Sequence, residues 1–141
     1  MEFRSLGVEP IVAPGLSSSY TAPLIANIPL THRGVSNQLL ITTGYGKDST
    51  RVDVPEYRND RTVVLLMAVG RLEEIVIEMM SKEYPRTIPI AIIENATNSN
   101  QRIFTGELQS IVGIARRKAV KPPATIVIGE VVRVLGPVQQ N

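Results

Sequence analysis

Two apolar runs decide what this chain can fold into. Thr62 to Val69 (Thr-Val-Val-Leu-Leu-Met-Ala-Val) and Ile88 to Glu94 (Ile-Pro-Ile-Ala-Ile-Ile-Glu) lack the apolar–polar alternation of a strand with one wet face. Strands that read this way are covered on both sides. The first run is punctuated by Gly70. Leu72, Ile75, Val76, Met79 and Met80 then recur at helical spacing on one face, with Arg71, Glu73, Glu74, Glu78 and Lys82 on the other, until Pro85 ends the pattern. The second run, with Pro89 near its start, leads through a polar turn at Asn95 to Asn100 and a short extended piece, Arg102 to Thr105. A second helix comes next, from Gly106 to Val120, with Leu108, Ile111, Val112, Ala115 and Ala119 in register. Pro122-Pro123 stops it, and Ala124 to Val134 reads as a closing strand. Successive strand–helix–strand units predict an α/β fold, a sheet with helices packed on it. The extended piece after Glu94 makes a hairpin, and hence a mixed sheet, the expected variant.

The amino-terminal third is built from breakers. A short apolar strand, Val8 to Ala13, ends at Pro14-Gly15, and Ser17, Ser18 and Ser19 stand where a helix would begin. Pro29 leads into Thr31-His32-Arg33, a dense polar trio. Gln38 to Thr43 then reads as a strand, and residues 44–61 form a long polar loop. So long a stretch with little periodicity is either a mobile lid or partly disordered. Its Gly44-Tyr45-Gly46-Lys47 is too short for a phosphate loop, and no helical pattern comes after it. The tail from Gly136 to Asn141 is expected to fray. No internal repeat is present, and 141 residues make a single domain.

Composition removes whole classes of chemistry. There is no cysteine, so disulfides and thiolate metal sites are excluded, and the single histidine, His32, gives a zinc site or a Ser–His triad little to work with. Aromatic residues are 4% of the chain, against a stacking platform for single-stranded nucleic acid. Net charge is only +2, and the one basic run, Arg116-Arg117-Lys118, sits where a helix ends and cations are favoured. No apolar run is long enough to span a membrane, and the N-terminus lacks a signal-peptide core. The expectation is a cytoplasmic protein without nucleic-acid or membrane partners. Asn95-Ala96-Thr97 fits a glycosylation sequon only by chance in such a chain.

In open α/β sheets ligands sit beyond the carboxyl ends of the strands. Those ends are Pro14 to Ser19, Met67 to Gly70, Glu94 to Thr97 and Gly129-Glu130. They offer small residues, hydroxyls and one thioether, which suits a neutral, adenosine-like ligand better than catalysis. Acid–base groups are thin, with Glu94 the one carboxylate placed at such an end. Each feature has a bland alternative: Ser17 to Ser19 as a helix cap, Met67 as core filler, Thr97 as a turn residue.

Ile28-Pro29-Leu30-Thr31-His32-Arg33, preceded by Val12-Ala13-Pro14-Gly15-Leu16-Ser17-Ser18, resembles the uroporphyrinogen-III C-methyltransferase family. Three further strings match in the family's order: Leu65-Leu66-Met67, Glu94-Asn95-Ala96-Thr97 with Asn100-Gln101-Arg102, and Pro122-Pro123-Ala124-Thr125 running into Val132. Ser17-Ser18-Ser19-Tyr20-Thr21 and Thr31-His32-Arg33-Gly34-Val35 look closest to fungal members. The resemblance implies the C-terminal domain of the two-domain tetrapyrrole methylase fold, with residues 1–13 the end of the preceding domain or a linker. The missing half would carry the glycine-rich loop and a Gly-Asp-Pro segment.

The function implied by the resemblance is specific. The family's cofactor is S-adenosyl-L-methionine, with S-adenosyl-L-homocysteine as product, and it lies between the domains. Ser17, Ser18, Met67, Ala96 and Thr125 match cofactor-contacting positions. Thr31, His32 and Arg33 match the loop nearer the tetrapyrrole, where Arg33 would meet a substrate carboxylate. The reaction is double methylation of uroporphyrinogen III to precorrin-2, for sirohaem or cobalamin. A homodimer is implied, the missing N-terminal domain is a required partner, and no metal or catalytic residue is assigned. On its own this chain is expected to be inactive; the alternative is an isolated domain that only folds or self-associates. Thr43-Gly44-Tyr45 departs from the Thr-Gly-His common in bacterial members.

Overall fold

The computed structural model describes residues 2–46, 50–51 and 53–136. Its elements in order are α1 (Glu2–Ser5), α2 (Ser18–Ile25), β1 (Gln38–Thr43), β2 (Arg61–Leu66), α3 (Leu72–Ser81), β3 (Pro89–Glu94), β4 (Arg102–Glu107), α4 (Leu108–Arg117) and β5 (Ala124–Ile128). Two 3-10 turns, Val69–Arg71 and Glu130–Arg133, come after β2 and β5.

The strands form one five-stranded mixed sheet in the order β1-β2-β5-β3-β4. β1 and β2 are parallel; β5 runs antiparallel to both β2 and β3, and β3–β4 is the expected hairpin. Adjacent residues of the central strands serve opposite faces. Val63, Leu65, Ile90, Ile92, Ile126 and Ile128 pack with Leu72, Ile75, Val76 and Met79 of α3 and Leu108 and Ile111 of α4. Val64, Ala91, Ile93 and Val127 pack with Ala22 of α2, with Ala26 just past its end, and with Val131 and Val132. Both apolar runs are therefore covered on both sides, as their unbroken hydrophobicity requires.

The structure departs from the sequence reading in several places. Residues 8–13 form no strand: among the described residues no strand pairs with them, and Ile11 is 98% exposed. The second helix begins at Leu108, because Gly106 and Glu107 still belong to β4 and Ser110 accepts the Glu107 N–H in a capping box. The last strand stops at Ile128. Gly129 takes φ 137°, a left-handed backbone that breaks the ladder, and residues 130–133 turn to bury Val131 and Val132. Arg71, expected on the wet face of its helix, is only 5% exposed.

The polar segment carries no helix or strand among its described residues before Arg61, where β2 begins, yet its second half is docked. Val54 is buried, its N–H donates to Glu78 at 2.8 Å, Tyr84 donates to the Pro55 carbonyl at 3.0 Å, and the Tyr57 and Tyr84 rings meet at 5.1 Å. Lys47 and residues 137–141 lie outside the described residues. Among the described residues no helix is long and apolar enough to cross a membrane, and no cluster of His, Asp and Glu is placed to hold a metal.

Candidate functional site

Because β1, β2 and β3 run one way and β4 and β5 the other, one end of the sheet gathers three strand exits and two strand entries. A cavity of about 620 Å³ opens there, lined by Ser18, Tyr45, residues 66–70, Ile93, Asn95, Ala96, Asn98 and residues 122–125. That volume is in the range of small-molecule sites, roughly 300–1,000 Å³. The lining is mostly apolar, with hydroxyl and amide groups at its edges.

The rim is held in costly backbone conformations. Met67 (φ 52°), Asn95 (φ 49°) and Thr97 (φ 72°) are non-glycine residues in the left-handed region. Asparagine tolerates it; a methionine or a β-branched threonine there is uncommon and costs roughly 1–2 kcal/mol. Such strain concentrates where a site needs a side chain aimed. At Met67 the result is a residue 65% exposed directly after a strand whose residues 62–65 are buried. The core-filler alternative is excluded.

Interactions behind the rim explain why it holds. Glu94, buried at 5% exposure, accepts Arg102 Nη2 at 2.7 Å on both carboxylate oxygens and the Lys121 N–H at 3.2 Å. The Asn95 N–H donates to the Pro123 carbonyl at 3.0 Å. Thr97 N–H donates to Gln101 Oε1 at 2.7 Å. The turn after β3 and the entry to β5 are thus one braced unit. Glu94 is not among the cavity-lining residues and is committed to this brace, not to acid–base work. On the other side, the Gly44 N–H donates to the Leu66 carbonyl at 2.8 Å, and a Cβ on Gly44 would lie 2.6 Å from Ala68 Cα. Only glycine allows β1 to end so close to the Met67 turn.

Four of the five cofactor positions drawn from the resemblance, Ser18, Met67, Ala96 and Thr125, line the cavity. Ser17 does not. Its hydroxyl accepts the Ser19 N–H at 3.3 Å and pairs with Ser19 Oγ at 2.8 Å, making it the cap of α2. Thr31, His32 and Arg33 are exposed and lie in the turn closed by the His32 N–H to the Ser36 carbonyl at 3.0 Å. That turn is anchored at the start of β1, where the Asn37 N–H meets the Asp60 carbonyl at 2.8 Å. The length of β1, roughly 17 Å at the usual strand rise, separates the trio from the cavity.

Gly129-Glu130 is a correction. β5 is antiparallel, so its exit lies at the far end of the sheet, where the Gly129 N–H donates to the Pro89 carbonyl at 3.1 Å. Its entry, Pro122 to Thr125, forms the cavity wall instead. Sequence reasoning also missed Tyr45, Asn98 and the Pro122–Pro123 pair as lining residues. The available signals were the hairpin, which reverses the direction of the later strand, and the aromatic residue placed beside a strand-ending glycine.

The family described as tetrapyrrole (corrin/porphyrin) methylases matches residues 1–112. The chain belongs to this family. It is 36% identical over 139 residues to the uroporphyrinogen-III C-methyltransferase of Methanocaldococcus jannaschii, covering 96% of this chain and 57% of that protein. It is 35% identical over 127 residues to a probable uroporphyrinogen-III C-methyltransferase of Schizosaccharomyces pombe, covering 90% of this chain and 26% of that protein. The crystal structure of uroporphyrin-III C-methyltransferase from Thermus thermophilus complexed with S-adenosylhomocysteine superposes with a TM-score of 0.80. Its identity is 30%, over 94% of this chain and 57% of that one. The chain spans between 26% and 57% of the length of these relatives.

Proposed function

We propose that this chain is the C-terminal domain of an S-adenosylmethionine-dependent uroporphyrinogen-III C-methyltransferase, making precorrin-2 for sirohaem or cobalamin. The cavity is then one wall of a cleft completed by an N-terminal domain, in a cytoplasmic homodimer. The observation that carries this is the convergence of Ser18, Met67, Ala96 and Thr125, from four separate parts of the sequence, on one cavity.

The donor set fits the cofactor. Ala96, Pro122, Pro123 and Ala124 leave flat, apolar space for a nucleoside, while Ser18, Asn95, Asn98 and Thr125 bring hydroxyl and amide groups to its edges. When bound, S-adenosylmethionine supplies a methyl group activated on a sulfonium. This chain's part is to orient that group, with the Met67 thioether on the exposed side where an acceptor would approach, and to keep water from the apolar wall. Arg33 is exposed and has no ion pair among the described residues, so its guanidinium is available to a tetrapyrrole carboxylate. Its distance from the cavity makes this a separate contact, at the far edge of the substrate.

Titration of the isotopically labelled chain with S-adenosylhomocysteine tests the reading. Expected are amide shifts at Ser18, Met67, Ala96 and Thr125, an affinity weaker than micromolar, and no turnover of uroporphyrinogen III without the N-terminal half. Arg33→Ala should leave those shifts unchanged and weaken only tetrapyrrole binding in the two-domain enzyme. Micromolar affinity or turnover by this chain alone would sink the half-site reading, and shifts confined to other regions would remove the cavity from consideration.

A further inference from the structure

Arg71 is the outstanding anomaly of the fold. It is a buried cation at the N-cap of α3, where the helix dipole disfavours positive charge and where it offers no cap to the helix. A charged side chain is buried only when its partners repay the lost hydration. Every partner of Arg71 leads back to one place. Its Nη1 donates to the Gly44 carbonyl, and its guanidinium lies 5.6 Å from the centre of the Tyr45 ring. Its Nε donates to Glu74 at 3.2 Å, and Glu74 in turn pairs with Arg51 at 3.3 Å. Arg51 is bridged through its backbone to Tyr45.

Among the described residues, Tyr45 is the one aromatic side chain lining the cavity. It stands on the β1 side, three strand positions and about 14 Å from the turn after β3. Gly70 gives it room, since a Cβ there would come within 3.2 Å of the Tyr45 hydroxyl. Among the described residues, the charged group recorded over this ring is the Arg71 guanidinium.

We propose that Arg71 is a positioning residue, holding the Tyr45 ring as the aromatic wall that bounds the ligand on the Met67 side. The inference deepens the cofactor reading of the cavity and rests on it for the ligand's identity. Arg71 acts on the ligand only through Tyr45.

The test has a ligand-free arm and a ligand arm. In protein labelled with ¹³C-tyrosine, Arg71→Met should move the Tyr45 ring signals towards those of a solvent-exposed tyrosine, while Tyr57 and Tyr84 stay in place. Arg71→Lys, which keeps the charge but not the guanidinium group, should give an intermediate shift and serves if the methionine variant does not fold. In the ligand arm, Arg71→Met and Tyr45→Ala should each weaken S-adenosylhomocysteine binding by about five- to tenfold, and the double variant should be no weaker than either single one. Unmoved Tyr45 signals, or losses that simply add, would overturn the proposal. If Tyr45 moves but no variant nor the parent binds the ligand, the positioning role stands and the cofactor reading fails.

Discussion

Arg102 reaches across the β3–β4 hairpin to place one guanidinium nitrogen 2.7 Å from both carboxylate oxygens of Glu94. The carboxylate is buried and the arginine is 41% exposed, so the pair is a buried anion held by a cation at the surface. Arg102 also donates to the Lys118 carbonyl at 3.0 Å and lies over the Phe104 ring at 5.1 Å. Its removal strands a buried charge and frees the end of α4. Arg102→Met should destabilise the fold by about 2–3 kcal/mol, measured by urea unfolding. Glu94→Gln, which keeps an acceptor and removes the charge, should cost less. The opposite order would mean that the carboxylate does something besides bracing.

Ser17 and Ser18 are adjacent but do different things. Ser17→Ala removes the cap of α2 and should cost about 1 kcal/mol of stability with little direct effect on ligand affinity. Ser18→Ala should leave stability within about 0.5 kcal/mol and weaken cofactor binding. Thermal unfolding and ligand titration on the two variants separate the roles; the same profile for both would place the serines in one function.

Much of this architecture was legible because burial on both faces of Thr62 to Val69 and Ile88 to Glu94 leaves a clear hydrophobic record. The helix beginning at Leu72 was equally plain. Strand direction leaves no such record. The reversal of β5 comes from a sheet order that no local pattern encodes, which is why Gly129-Glu130 was assigned to the wrong end and Pro122 to Thr125 to no end at all. Val8 to Ala13 failed for the converse reason: its pattern is that of a strand, but no strand lies beside it. Arg71 was unreadable in principle, since a helix-face position predicts solvent, and only the approach of Gly44 and Tyr45 makes burial favourable. The cavity residues Met67 and Ala96 came through motif resemblance; their left-handed neighbourhood is a property of the fold alone.

Met67 offers a contrast between backbone and side chain. Its side chain is largely exposed, so Met67→Trp should change stability by no more than about 0.5 kcal/mol while filling the cavity mouth and abolishing cofactor shifts. Met67→Val makes the side chain smaller but puts a β-branched residue at φ 52°. That variant should lose about 1–2 kcal/mol. Denaturation midpoints and ligand titration together check the pair, and a tryptophan variant that unfolds would show that the position is structural.

Tyr84 supplies a pH dependence with a definite sign. Burial, the largest influence, pushes its hydroxyl up to about 12, with the nearby positive charge of Arg61 opposing and Glu56 adding to the rise. The unfolded chain releases this proton near pH 10, so the native state holds it through a window in which the unfolded state does not. The stabilisation is therefore whole below pH 10 and is lost as pH rises towards 12, by an amount on the order of 2 kcal/mol. Tyr84→Phe lacks the bond to Pro55, so it should be about 1 kcal/mol less stable near neutrality. It cannot titrate, however, so the two stability curves should converge and cross in the alkaline range. Urea unfolding of both proteins across that range checks this. Parallel curves would mean that the alkaline loss belongs to other groups and that Tyr84 opens to solvent before it ionises, together with the segment from Val54 to Tyr57 that it holds in place.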